Sequence, residues 1–192
     1  MLTAFAAPLA GSEPAATAVP GLFGRRLTAE LGGFSLQSTR PGLAIGGATA
    51  PVFGPVALAG RFRFDTVYSY AAFLGVEAAS PSAAVLGGRL AAIGGLGLHC
   101  GFGRVASNWV YSPAPQVSAA VCFERGGAGL AASLEARFWS DAAELAPRLS
   151  LFADARSFTL FTGLEWSNLL RRDGARSGAD IYLFSGVAFR AR

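Results

Sequence analysis

Residues able to do covalent or metal chemistry are few in this chain. His99 is the only histidine, and Cys100 and Cys122 are the only cysteines. A zinc centre draws three or four such ligands from short, defined intervals, so neither a metal site nor a cofactor is expected. Cys100 keeps phase with Leu96, Leu98 and Phe102, whereas Cys122 keeps phase with Ser118 and Glu124. A period of two puts the thiols on opposite faces, which predicts two buried free cysteines and no disulfide. For hydrolysis His99 is the sole base on offer, set among Gly95, Gly97, Gly101 and Gly103. One histidine in such a setting is more often a hydrogen-bonded filler than a general base, so the chain is not expected to be an enzyme. The glycine-rich stretch 87–103 lacks the strand-then-helix plan of a phosphate loop.

What remains is charge, and its placement is ordered. Arg61, Arg63, Arg89, Glu135, Arg137, Asp154 and Glu165 fall on the polar side of alternating segments. Side chains two apart share a face of a strand, so these seven are expected to form one charge network, with Glu135 and Arg137 as its clearest pair. All 16 basic residues are arginine, yet they are scattered along the chain and form no single basic face. Nucleic acid is therefore not an expected partner. Arg171, Arg172 and Arg176 are the exception, gathered in one connecting segment.

The elements that hold these residues read as strands. The chain has 192 residues, 52% hydrophobic and 15% charged, with a net charge of +4. Soluble domains carry about 25% charged residues, so something other than water is expected to cover part of the surface. A membrane helix needs about 20 consecutive apolar residues. The longest charge-free stretches are broken by Pro41, Pro51 and Pro55 in one case and by Pro113 and Pro115 in the other. Alternation with a period of two runs instead along most of the chain. Val117, Ala119, Val121 and Phe123 alternate with Ser118, Ala120, Cys122 and Glu124, and a turn at Arg125-Gly126 brings Ala128, Leu130, Ala132 and Leu134 onto the same face. A turn at Ala155-Arg156 does the same for Leu149, Leu151 and Ala153 against Phe158, Leu160, Thr162, Leu164 and Trp166.

About ten strands are predicted, with eight or twelve as alternatives, at about 42–50, 55–64, 69–78, 83–93, 96–105, 116–125, 128–139, 148–154, 157–167 and 180–190. Residues 26–37 alternate too, interrupted at Gly32-Gly33, and either join the barrel or precede it. Turns are tight at Gly94-Gly95, Arg125-Gly126 and Ala155-Arg156, whereas 106–115, 140–147 and 168–179 read as long loops. Short turns at one end and long loops at the other are the plan of a closed antiparallel up-and-down transmembrane β-barrel. Aromatics on the apolar face fall near strand ends: Phe123, Phe158 and Phe189 at the short-turn end, Phe138 and Trp166 at the other. Phe158 and Trp166 are eight residues apart, roughly 20 Å of height at about 3.3 Å per residue and a tilt of about 40°. Two aromatic girdles at that separation match an outer-membrane apolar band. A soluble sandwich concentrates its aromatics in mid-core.

The last residues, Gly186-Val187-Ala188-Phe189-Arg190-Ala191-Arg192, resemble the closing strand of small outer-membrane β-barrels of the opacity-porin and attachment-invasion type, which ends Gly-Val-Gly-Tyr-Arg-Phe. Ala188 stands for the second glycine and Phe189 for the tyrosine, while Ala191 and Arg192 replace the terminal phenylalanine. The resemblance implies the bacterial outer membrane and the barrel-assembly machinery as a partner in biogenesis. In that setting Arg171, Arg172 and Arg176 would meet the phosphates of lipopolysaccharide. Residues 1–24 read as a signal-like or disordered leader: Ala16-Thr17-Ala18 fits a signal-peptidase site, without a positively charged start. Residues 25–192 then form one barrel domain. The function expected is a structural, surface-interaction or narrow-pore role. The alternatives are a soluble lipocalin-like barrel for an apolar ligand and an outer-membrane barrel lipid hydrolase.

Overall fold

The computed structural model describes residues 26–34, 42–65, 69–105, 108–155, 157–171 and 176–190. Their strands are β1 (Arg26–Phe34), β2 (Gly42–Phe53), β3 (Val56–Asp65), β4 (Ser69–Ala79), β5 (Ala83–Val85), β6 (Gly88–Val105), β7 (Asn108–Arg125), β8 (Ala128–Phe138), β9 (Ala142–Asp154), β10 (Phe158–Arg171) and β11 (Arg176–Arg190). Each long strand pairs antiparallel with its sequence neighbours. Two further pairings close the ring: β1 with β11, from Arg26↔Arg190 to Phe34↔Leu183, and β4 with β6, from Ser69↔Gly103 to Ala79↔Ile93. The result is a closed ten-stranded barrel, with β5 a short strand hydrogen-bonded to the start of β6. Closure leaves no open sheet edge around the ring.

The predicted strand number holds, but two of the expected elements differ. Gly94-Gly95 is not a turn: β6 runs straight through it, with Gly94 opposite Ala78 and Ala119 and Gly95 opposite Glu77 and Ser118. The turn lies earlier, at Leu86-Gly87, where both residues have positive φ. Gly95 is there for space, since a Cβ would stand 2.6 Å from the Ser118 hydroxyl. Residues 26–34 supply the strand thus lost to the count, as β1. The expected long loops 106–115, 140–147 and 168–179 are largely strand, because β7, β9, β10 and β11 extend into them.

Both predicted hairpins keep their faces and shift their register by two residues. Phe123 pairs with Leu130, because the tight turn uses Gly126-Gly127, at φ 63° and 81°. A two-residue turn of that kind needs positive φ at both positions, which Arg125 does not supply. In the other hairpin Thr159 pairs with Asp154 and Leu160 with Ala153. A shift of two leaves every side chain on its original face. Cys122 is fully buried in the lumen, whereas Cys100 is on the exterior and half-buried, which corrects the expectation of two buried thiols; both are free of disulfides.

Inside, one wall is aromatic. Phe161, Phe184, Tyr182 and Phe152 form a cluster with Cys122, Ala131 and Ala188. Each ring lies over a glycine of an adjacent strand: Phe161 over Gly186, Phe184 over Gly163, Phe152 over Gly129 and Tyr182 over Gly32. A Cβ on Gly186 would sit 2.4 Å from the Phe161 ring and 2.5 Å from the Ala29 carbonyl oxygen. Gly186→Val is therefore expected to lower stability by about 1–3 kcal/mol through overpacking, measured as a lower denaturant midpoint in detergent.

Candidate functional site

Four arginines and four glutamates meet at mid-height in the lumen. Some are cross-strand neighbours placed by register alone. Arg137 faces Glu144 and Gln116, donating to them at 2.7 and 3.1 Å. It also donates to Glu135, two residues before it on the same face, at 2.6 Å. Arg148 faces Glu165 at 3.5 Å. Other pairs cross the lumen. Arg61 of β3 reaches Glu30 of β1 at 3.2 Å and Glu135 of β8 at 3.3 Å. Arg63 reaches Glu165 of β10 at 3.1 Å, and Arg148 of β9 reaches Glu30 at 2.5 Å.

The belt is flanked by rings and hydroxyls. The Arg63 guanidinium stacks on Tyr182 at 3.7 Å and that of Arg148 on Phe184 at 3.6 Å. Planar guanidinium groups do this well because they are weakly hydrated on their faces. Ser167 donates to Glu144. Opposite charges are equal in number within the belt, so the carboxylates are compensated despite burial of Glu30 and Glu165 at 5% and 4% exposure.

Of the seven charges expected on one face, Arg61, Arg63, Glu135, Arg137 and Glu165 come together. Arg89 stands apart, bonding Glu124 at 3.0 Å near the tight-turn end. Asp154 accepts a hydrogen bond from Thr159, also near that end. Glu30, Glu144 and Arg148 complete the belt and were not singled out from sequence. Glu30 lies in the segment left undecided, and Glu144 in a stretch read as loop. Their in-phase spacing with the neighbouring strands was the available signal.

Phe158 and Phe189 are paired on the exterior at the short-turn end, with Phe123 on the same face. Phe138 and Trp166 are exposed toward the other end, at 46% and 47%. Trp139 turns inward, its ring edge-on to His99 at 6.3 Å. His99 itself is buried and lines a cavity of about 230 Å³ together with Gln116, Ser118 and Arg61. Among the described residues no three His, Cys, Asp or Glu groups are arranged to hold a metal ion. Arg172 and residues 1–24 lie outside the described residues. For Arg171 and Arg176 the structure describes only the backbone, at the end of β10 and the start of β11.

A closed ten-stranded antiparallel barrel with an ion-paired interior is the class these features define. No protein-family model and no curated protein matches the sequence. Among solved structures the chain is similar to a loop L8 deletion mutant of OmpT, an outer membrane protein of Vibrio cholerae. The identity is 11% and the TM-score 0.30, over 86% of this chain and 97% of that one. A likeness at that level adds nothing to the strand pairing. The resemblance to the opacity-porin type rests on the final strand and on strand alternation, with no family model behind it.

Proposed function

We propose that this protein is a bacterial outer-membrane β-barrel with a structural or surface-interaction role and at most a narrow pore. The observation that carries this reading is the reversed polarity of the barrel wall. Leu74, Leu31, Leu96 and Leu151 are exposed at 72%, 69%, 62% and 61% around the exterior, while Glu30 and Glu165 of the belt are buried inside. An apolar exterior of this extent needs a hydrocarbon partner, and a closed sheet is one of the two backbone arrangements that satisfy every amide in lipid. A lipocalin-like binder needs the opposite distribution, with leucines inside and charge outside. No helix among the described residues is long and apolar enough to cross a membrane, which leaves crossing by strands untouched.

Both chain ends described, Arg26 and Arg190, meet at the short-turn end, the periplasmic end in barrels of this kind. The opposite end, where the backbone of Arg171 ends β10 and that of Arg176 begins β11, then faces lipopolysaccharide phosphates. The final strand is the segment offered to the barrel-assembly machinery. The test is fractionation and gel mobility. The protein is expected in the detergent-extracted outer-membrane fraction and to migrate differently before and after boiling. Recovery as a monodisperse protein in plain buffer, with one mobility, would overturn the reading.

A further inference from the structure

The lumen is filled unevenly. The wall of β9, β10 and β11 carries four large rings, whereas the other strands carry Gly46, Ala59, Ala71, Ser118, Ala120 and Ser133 beside Phe73, and the cavity is lined from both sides, Phe161 and Arg148 included. Ile93 and His99 both line it and stand six residues apart on β6. At about 3.3 Å per residue and a tilt of about 40° that is roughly 15 Å of barrel height. Arg61, Arg63 and Arg148 all line this space and reach over it, and of the two that are tied to two other strands Arg61, at 25%, is more exposed than Arg148, at 14%. Arg61 leaves β3 and is tied at its far end to Glu30 and Glu135, on two other strands.

As glue, Arg61 is redundant. Glu30 keeps Arg148, Glu135 keeps Arg137, and Glu165, which Arg61 also approaches at 4.0 Å, keeps Arg63 and Arg148 when Arg61 is taken away. Its own side chain is 25% exposed, facing the cavity. We infer that this lumenal space is a conduction path for small inorganic ions, and that Arg61 is the bar across it, held shut by Glu30 and Glu135. The inference rests on the membrane-barrel reading. A pore this narrow selects by the charge left on its lining. Without Arg61 the belt holds one glutamate more than it holds arginines; with Glu135 neutralised it holds one arginine more.

Planar lipid bilayers bathed in potassium chloride test this with the wild type, Arg61→Ala and Glu135→Gln, each first checked for the mobility difference between boiled and unboiled protein. The wild type is expected to be nearly closed. Arg61→Ala is expected to conduct measurably more than the wild type and to prefer potassium in a salt gradient. Glu135→Gln is expected to shift the reversal potential the other way, toward chloride. If Arg61→Ala does not fold, the sign of the Glu135→Gln shift decides. A wild type already open, folded variants as closed as the wild type, the same sign for both, or loss of folding in both shows Arg61 to be a strut and overturns the proposal. Failure of the wild type to enter the bilayer would instead overturn the membrane reading.

Discussion

Glu165→Ala is expected to cost the barrel about 3–5 kcal/mol, the usual effect of breaking a buried ion pair from one side. Glu165 is 4% exposed and receives Arg63 at 3.1 Å and Arg148 at 3.5 Å. Arg148 retains Glu30 when the carboxylate goes. Arg63 does not fare so well, because its ion pair is with Glu165 while its guanidinium stays stacked on Tyr182. An uncompensated cation in the lumen is the source of the loss. Equilibrium unfolding in detergent or lipid vesicles reads it directly. The double variant Glu165→Leu/Arg63→Met should recover most of the stability, because replacing both charges by apolar groups removes the desolvation cost along with the attraction. A single-variant loss below about 1 kcal/mol, the range of a solvent-exposed pair, would show the belt to be wet and weakly coupled.

Leu164→Arg is the second change with a large expected effect. Leu164 lies between Leu149 of β9 and Leu183 of β11 on the exterior, well away from both ends of β10. In a bilayer a lipid-facing arginine near mid-depth costs about 2–4 kcal/mol. In water the same change at a residue 42% exposed falls within about 0.5 kcal/mol. Unfolding measured in vesicles should show the loss, and Phe158→Arg, at the rim, should show less of it. Equal and negligible effects at both positions would remove the lipid from the exterior face.

Much of this fold is legible from alternation, because a period of two is a local property. The apolar sets Leu149-Leu151-Ala153 and Leu160-Thr162-Leu164 share a face in the barrel as their sequence pattern requires. A register error of two residues is invisible to that pattern, which is why both hairpins keep their faces while their turns move. Gly94-Gly95 misleads for a different reason. Glycine marks close approach as readily as it marks a turn, and only the Ser118 hydroxyl across the strand tells the two apart. The belt is legible in part. Glu135 with Arg137 is a same-strand pair and can be read off the chain, whereas Arg61 with Glu30 reaches over an intervening strand and Arg63 with Glu165 joins strands that meet only across a closed ring. Nothing local in the sequence announces such partners.

The pairing of β1 with β11 carries a temporal consequence. Arg26 and Arg190 hydrogen-bond across one seam although nearly the whole chain separates them. Every other seam but that of β4 with β6 joins consecutive strands and can form by local hairpin pairing. This one must wait until β11 is in place. Until then two unsatisfied borders face each other, both open to pairing with any extended neighbour. A chain cut before Asp180 loses most of β11 and should never seal, leaving an adhesive half-cylinder that escorts would have to shield.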